Sequence, residues 1–281
     1  MEISFSSIPV FLMNREDCKD RLQSSLQELE KTGFQNIHRV DAFTPPQARE
    51  QKANYFSASV YQNIVHGPNN TNTIPTWAAA ACAMSHVRAW KMALQETSEE
   101  QVIIFCEDDI EIQNPELAQM FIAEAYFAVE KNANAIYFFG AAQKYIYSDI
   151  IWSGGNYYND VFNSSTVSQQ KTFYPIYSGS SFSFIGSHFY MTTKSALARM
   201  CKEFYPIEYQ MDIHISKVMR DRIGISLMNT GIECGIRQNK KRFLTTVQYM
   251  AHKNPRVLWI IFDKSLPIDA CEMICRFSKV F

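Results

Sequence analysis

The sequence predicts an α/β fold with a mostly parallel central sheet flanked by helices. Short apolar runs at residues 8–13, 101–106 and 135–139, with a strand-like stretch at 36–41, alternate with longer helical patterns. Strands alternating with helices need crossovers, which place helices on both faces of a parallel sheet. A chain of 281 residues can also bury a large core without disulfides or a structural metal. One domain over 1–281 is expected, with a substrate-facing excursion at 142–180 and a divergent part after 223.

Each element has a local reason. Residues 8–13 form a short apolar run suited to a buried strand, with Pro9 tolerated only near its start. Asn14 is the expected N-cap of the next helix, whose Leu22, Leu26 and Leu29 make one apolar face before Gly33 stops it. Residues 36–41 read as a second strand ending in Asp41, so the chain opens as a right-handed βαβ unit. Pro45-Pro46 starts a short helix, and residues 54–75 are a polar connector. Thr76 caps a helix to about Glu96, in which four consecutive alanines at 78–81 allow close backbone approach. The strand at 101–106 stops at Glu107-Asp108-Asp109. Pro115 opens a helix to about Lys131, and 135–139 form a buried strand ending at Gly140. After the Tyr-, Ser- and Asn-rich excursion, 181–191 read as one strand and Thr193 caps another helix. A last helix is expected after Pro206, running through Asp212 and His214 to about Arg222.

Composition excludes several classes. Lys+Arg 27 against Asp+Glu 28 gives a net charge of −1, so there is no broad electrostatic footprint for a nucleic-acid backbone. No apolar run approaches the roughly 20 residues of a membrane-spanning helix. Glu2 stands where a secretory signal would carry basic residues, and no long apolar segment with a cleavage site follows. A cytoplasmic location is expected, with peripheral membrane contact left open by the basic run Arg237, Lys240, Lys241 and Arg242, whose plainer reading is a solvated face. The seven cysteines form no Cys-x-x-Cys pair and read as reduced core residues; Cys271 and Cys275, one helical turn apart, are the exception to watch.

Three segments can carry chemistry. In Ile103-Ile104-Phe105-Cys106-Glu107-Asp108-Asp109-Ile110, strand alternation would put Glu107 and Asp109 on one face and Asp108 on the other. Two carboxylates crowded at the end of a buried strand repel each other, and a divalent cation relieves this; the competing reading is a solvated acidic turn. In Cys82-Ala83-Met84-Ser85-His86, the adjacent Ser85 and His86 point about 100° apart on a helix, so they are no nucleophile–base dyad. Either one faces the ligand edge of the sheet, or the pair satisfies buried polar partners. In Glu208-Tyr209-Gln210-Met211-Asp212-Ile213-His214, Asp212 between apolar neighbours is a candidate general base, with Glu208 the competing carboxylate, against the simpler reading of an acid at a helix N-terminus. The aromatics Tyr145, Tyr147, Trp152, Tyr157 and Tyr158 can stack on sugar faces or fill core.

The order of Asn14-Arg15, Arg21, Val40-Asp41-Ala42, Cys82-Ala83-Met84-Ser85-His86, Phe105-Cys106-Glu107-Asp108-Asp109, Gly186-Ser187-His188-Phe189-Tyr190 and Asp212 resembles glycosyltransferase family 25. That group includes lipopolysaccharide and collagen galactosyltransferases. The resemblance covers most of residues 8–222. It implies a GT-A-like nucleotide-sugar-binding fold, a UDP-sugar donor (commonly galactose), a divalent cation such as Mn²⁺ or Mg²⁺, a glycan or glycoconjugate acceptor, and inversion at the anomeric carbon. By position, Asn14, Arg21 and Asp41 would lie near the nucleotide, with Ser85 and His86 on the same cofactor-binding side. Glu107 and Asp109 would serve the metal and diphosphate, and Asp212 would be the acceptor-side base. His188 and His252 are candidates for a late metal-ligating histidine. Asp41 is followed by Ala-Phe-Thr where the family has glycine, and the region after Ile223 departs from the pattern. Two other readings stay open at this point: a metal-dependent phosphohydrolase, and a noncatalytic carbohydrate-binding protein.

Overall fold

The computed structural model describes residues 3–66, 73–98, 101–140, 142–145, 151–152, 174–175, 182–220, 223–230 and 234–239. All of them fall within the compact unit Met1–Phe243; a second unit, Leu244–Phe281, lies outside the described residues. In chain order the elements are β1 (Val10–Asn14), α1 (Lys19–Lys31), β2 (Ile37–Asp41), α2 (Pro45–Glu50), α3 (Ala58–His66), α4 (Trp77–Glu96), β3 (Val102–Glu107), β4 (Ile110–Ile112), α5 (Pro115–Lys131) and β5 (Ala135–Phe138). There follow β6 (Ala142–Tyr145), β7 (Ile151–Trp152), β8 (Tyr174–Pro175), β9 (Phe182–Ile185), β10 (Phe189–Thr193), α6 (Lys194–Glu203), α7 (Met211–Ile215), β11 (Ser226–Asn229) and β12 (Ile236–Gln238).

The central sheet has seven strands in the order β2-β1-β3-β10-β5-β11-β8. β2, β1, β3, β5 and β11 run one way, and β10 and β8 run against them. The expected mostly parallel sheet flanked by helices is therefore present, with one antiparallel strand inserted at its centre. That insertion follows from a break in the stretch 181–191, which the sequence pattern presents as one strand. Gly186 takes φ 114°, a conformation that interrupts extension and favours glycine. β9 before the break joins a small sheet with β6 and β7, and β10 after it enters the main sheet.

Both faces of the sheet are buried. On one, Val10 and Leu12 of β1, Ile104 and Cys106 of β3, Met191 of β10 and Tyr137 of β5 pack with Leu29 of α1 and Phe121, Ile122 and Val129 of α5. The other carries an aromatic ladder of direct cross-strand partners: His38 on Phe11, Phe11 on Phe105, Phe105 on Tyr190 and Tyr190 on Phe138. Ring centroids along it are 4.8, 5.7, 5.2 and 5.3 Å apart. Such pairs are the unit of sheet stabilisation. Part of the aromatic excess is thus core, while Tyr147, Tyr157 and Tyr158 lie outside the described residues.

Helix boundaries follow their caps. Thr76 Oγ1 accepts from Ala79 N at 3.1 Å, Asn114 Oδ1 from Leu117 N at 3.0 Å, and Thr193 Oγ1 from Ala196 N at 3.2 Å. Two expectations are corrected. Asn14 is not a cap: α1 begins at Lys19, and the Asn14 amide donates to Cys18 O at 3.0 Å instead of accepting from helix amides. The helix expected after Pro206 starts later, because Ile207 and Tyr209 are bridged in extended form to Phe56 and Thr73; α7 begins at Met211 and passes through Asp212 and His214 into a π-helical turn over Ser216–Arg220. Cys18, Cys82, Cys106, Cys201 and Cys234 are free thiols; Cys271 and Cys275 lie outside the described residues. Among the described residues, no helix is long and apolar enough to cross a membrane.

Candidate active site

The parallel register places the carboxyl ends of three adjacent strands together. Asn14 pairs with Asp41, and Met13 with Glu107, so β1, β2 and β3 all end in a polar residue at one edge. This is the edge at which open α/β sheets bind ligands.

Beyond Glu107 the chain turns, and the turn rearranges the carboxylates. Asp108 is buried and doubly held: Asn14 Nδ2 donates to its Oδ2 at 2.7 Å, and Arg21 lies 2.5 Å from its Oδ1. The same guanidinium is 3.1 Å from Asp109 Oδ2. Asp108 and Asp109 therefore share one cation, whereas continued strand alternation would have put them on opposite faces. Burial raises the Asp108 carboxyl, partly offset by Arg21 and Asn14. Asp109 is pushed up to about 7 by burial and then by the charge of Glu107, against the pull of Arg21. Its Oδ1 is buried with no hydrogen-bond partner among the described residues.

Glu107 faces a different set of groups. Its Oε1 lies 3.4 Å from His86 Nε2 and 3.5 Å from Ser187 Oγ, and its backbone N–H donates to His188 O at 2.8 Å. Burial works to raise this carboxyl, but the hydrogen bond from His86, with the pull of Arg21, holds it below the usual range. His86 is fully buried, and its Nδ1 lies 3.0 Å from the Tyr190 hydroxyl, which accepts from Trp90 Nε1 at 2.7 Å. Cys82, one turn before His86, offers Sγ within 4.8 Å of the His86 and Glu107 ligand atoms. Burial and the surrounding carboxylates raise that thiol well above its ordinary value, which keeps it protonated and a weak ligand.

Asp212 lies in the first turn of α7. Ile213 N donates to its Oδ1 at 2.8 Å and Gly186 N to its Oδ2 at 3.3 Å. Burial lifts its carboxyl to about 6, with Glu107 adding to the rise and the backbone donors opposing it. Gly186 and Ser187 are consecutive, so one turn contacts Asp212 through its first residue and Glu107 through its second. A carboxylate in this state is fitted to take a proton near neutral pH.

The remaining expected residues divide. Asn14 and Arg21 do reach the acidic turn, but by holding Asp108 and Asp109. Ser85 satisfies buried backbone: its Oγ donates to Ala81 O at 2.7 Å and accepts from Phe43 N at 2.8 Å, tying the loop after β2 to α4. Asp41 is exposed at the end of β2, 3.7 Å from Arg39 and 3.6 Å from Arg88. His188 is buried beside Glu107; His252, Lys240, Lys241 and Arg242 lie outside the described residues. Arg237 pairs with Glu111 at 2.8 Å. Sequence reasoning does not assign Asp108, Tyr190 or Trp90 to the site. The alternation rule hides Asp108, and the other two look like ordinary core aromatics.

Glu107 and Asp109, whose Oδ1 has no hydrogen-bond partner among the described residues, carry the oxygens that could meet a hard divalent cation, while Asp108 is already neutralised by Arg21 and Asn14.

Comparison with solved structures finds a mannose-1-phosphate geranyltransferase from Thermus thermophilus, 8% identical, covering 79% of this chain and 73% of that one with a TM-score of 0.39. No curated protein matches the chain. Residues 7–215 match the family described as "Glycosyltransferase family 25 (LPS biosynthesis protein)", a span that includes Asn14, Arg21, the acidic turn, the 186–188 turn and Asp212. That span is well over half of the sequence, and the chain belongs to glycosyltransferase family 25.

Proposed function

We propose that this glycosyltransferase is an inverting enzyme of GT-A type that moves a sugar, with galactose the first candidate, from a UDP-sugar to a hydroxyl of a glycan or glycoconjugate. The observation that carries the reading is the position of Asp212: a raised carboxylate held on the same turn as Glu107. In the transfer, the acceptor hydroxyl gives its proton to Asp212 as its oxygen bonds to the anomeric carbon. The bond from that carbon to the diphosphate breaks, and its electron pair leaves with UDP.

Glu107 and Asp109 would hold Mn²⁺ or Mg²⁺, which when bound neutralises charge on the departing diphosphate. Arg21 and Asn14 keep the acidic turn folded for this task. Asp41, exposed at the end of β2, would meet the nucleotide in this reading, and Ser85 steadies the loop that follows it. A cytoplasmic protein with peripheral membrane contact belongs to the same reading.

Incubation with a panel of nucleotide sugars, Mn²⁺ and candidate glycan acceptors tests it. UDP release from one UDP-sugar, stimulated by acceptor and lost on chelation, is the expected result. Turnover that survives chelation, or phosphate release from simple esters without sugar transfer, would overturn it.

A further inference from the structure

The buried chain Trp90, Tyr190, His86 and Glu107 has a direction that hydrogen-bond chemistry fixes. Trp90, Tyr190 and His86 are each fully buried, and the successive separations are 2.7, 3.0 and 3.4 Å. The indole N–H can only donate, so the Tyr190 oxygen must accept from it. The phenol then has its own proton to place, and among the described residues the acceptor within reach is His86 Nδ1. Were Nδ1 protonated, the phenol would accept twice and leave its own proton buried with no acceptor among the described residues, which is costly. Nδ1 is therefore the acceptor, and a neutral imidazole carries its proton on Nε2, the nitrogen that faces Glu107.

We propose that Trp90 and Tyr190 are positioning residues that hold the His86 ring through Nδ1, in the Nε2–H tautomer that the acceptor-only Glu107 carboxylate also requires, so that Nε2 donates to Glu107 and pins one oxygen of that carboxylate. The phenol is well placed to do this without drift, because its ring is stacked on Phe105 and flanked by the tilted ring of Phe138 in the cross-strand ladder. For its consequence in catalysis the inference rests on the reading of Glu107 as a cation ligand; the tautomer itself does not. The same geometry decides against Cys82, His86 and Glu107 as a soft-metal site, because a metal at Nε2 would need the opposite tautomer.

The test begins with wild-type protein carrying ¹⁵N-labelled histidine, without added metal. A long-range ¹H–¹⁵N spectrum is expected to show His86 with a protonated Nε2 and a pyridine-like Nδ1. A protonated Nδ1, in either the other tautomer or an imidazolium, would overturn the proposal without any variant having to fold. Tyr190→Phe, checked for folding by circular dichroism, is then expected to keep the Nε2–H tautomer, which Glu107 alone still requires, but to move the His86 Nδ1 resonance that reports the lost phenol donor and to weaken Mn²⁺ binding by about tenfold or more in calorimetry without donor. A folded Tyr190→Phe protein with an unmoved Nδ1 resonance and unchanged Mn²⁺ affinity, differing only in melting temperature, would also overturn it. Wild-type protein showing the Nε2–H tautomer but binding no Mn²⁺ would support the lock while removing the cation reading.

Discussion

Asp212 and Glu107 are held by consecutive residues of one turn: Gly186 N–H donates to Asp212 Oδ2 at 3.3 Å, and Ser187 Oγ lies 3.5 Å from Glu107 Oε1. The break that ends β9 and begins β10 thus couples the proposed base to the acidic end of β3. It can do so because Gly186 adopts φ 114°, and because β10 runs antiparallel beside β3 with Phe189 opposite Cys106. Fold and site meet at this point, since the strand that interrupts the parallel sheet also sets the spacing of two carboxylates.

Asp212→Asn should reduce turnover by about 10²–10⁴ with the fold intact, because the amide keeps the shape but cannot take a proton. The wild-type rate should fall on the acid side of pH about 6, where Asp212 becomes protonated before the acceptor arrives. A pH–rate profile in saturating donor checks both, and an acid limb that stays in place in the residual Asn activity would assign the titration elsewhere.

The same carboxylate predicts a stability effect of opposite sign. Its folded value of about 6 lies above the ordinary 3.8, so between these values the folded state binds more protons than the unfolded state. Stability from this group therefore rises as pH falls from 7 toward 4, and the ionised form costs on the order of 1–3 kcal/mol at neutral pH. Asp212→Asn should be at least as stable as wild type at pH 7.5 and lose that advantage near pH 4, read from urea midpoints at each pH.

Much of this architecture is legible in the sequence because local chemistry decides it. Thr76, Pro115 and Thr193 announce helix starts through their own side chains, and the strand-like stretches ending at Asn14, Asp41 and Glu107 locate the functional edge. What stays hidden depends on partners distant in the chain. Asp108 cannot be separated from Asp109 without knowing that Arg21 reaches both, and Asn14 cannot be denied a capping role without Asp108 opposite it. Tyr190 and Trp90 carry hydrogen bonds whose significance appears only when His86 is brought between them and Glu107. The stretch 181–191 reads as continuous because the effect of one glycine on extension is set by the two sheets it joins.

The aromatic ladder should behave as a single core element. Phe105 sits at its centre, fully buried and stacked on both Phe11 and Tyr190. Phe105→Ala should cost about 3–5 kcal/mol, whereas Met120→Ala, at a side chain 48% exposed, should stay within about 0.5 kcal/mol. Urea denaturation of the two variants checks the contrast.

Adjacent aspartates in the acidic turn should fail in different ways. Asp108 accepts from Asn14 and pairs with Arg21, so both its oxygens are occupied in the buried turn. Asp108→Ala takes from the Arg21 guanidinium its shorter carboxylate contact and leaves the Asn14 amide short of an acceptor, a loss of about 3–5 kcal/mol. Asp109 differs because its Oδ1 is buried with no hydrogen-bond partner among the described residues, and its ionised form is disfavoured first by burial and then by Glu107. Asp109→Asn removes a charge that the fold tolerates poorly and should leave the melting temperature near or above that of wild type. It should instead abolish Mn²⁺ binding and acceptor-stimulated UDP release. Calorimetry with Mn²⁺ alone, set beside thermal melts of both variants, separates the two roles; Mn²⁺ binding that survives Asp109→Asn would take the cation away from this turn.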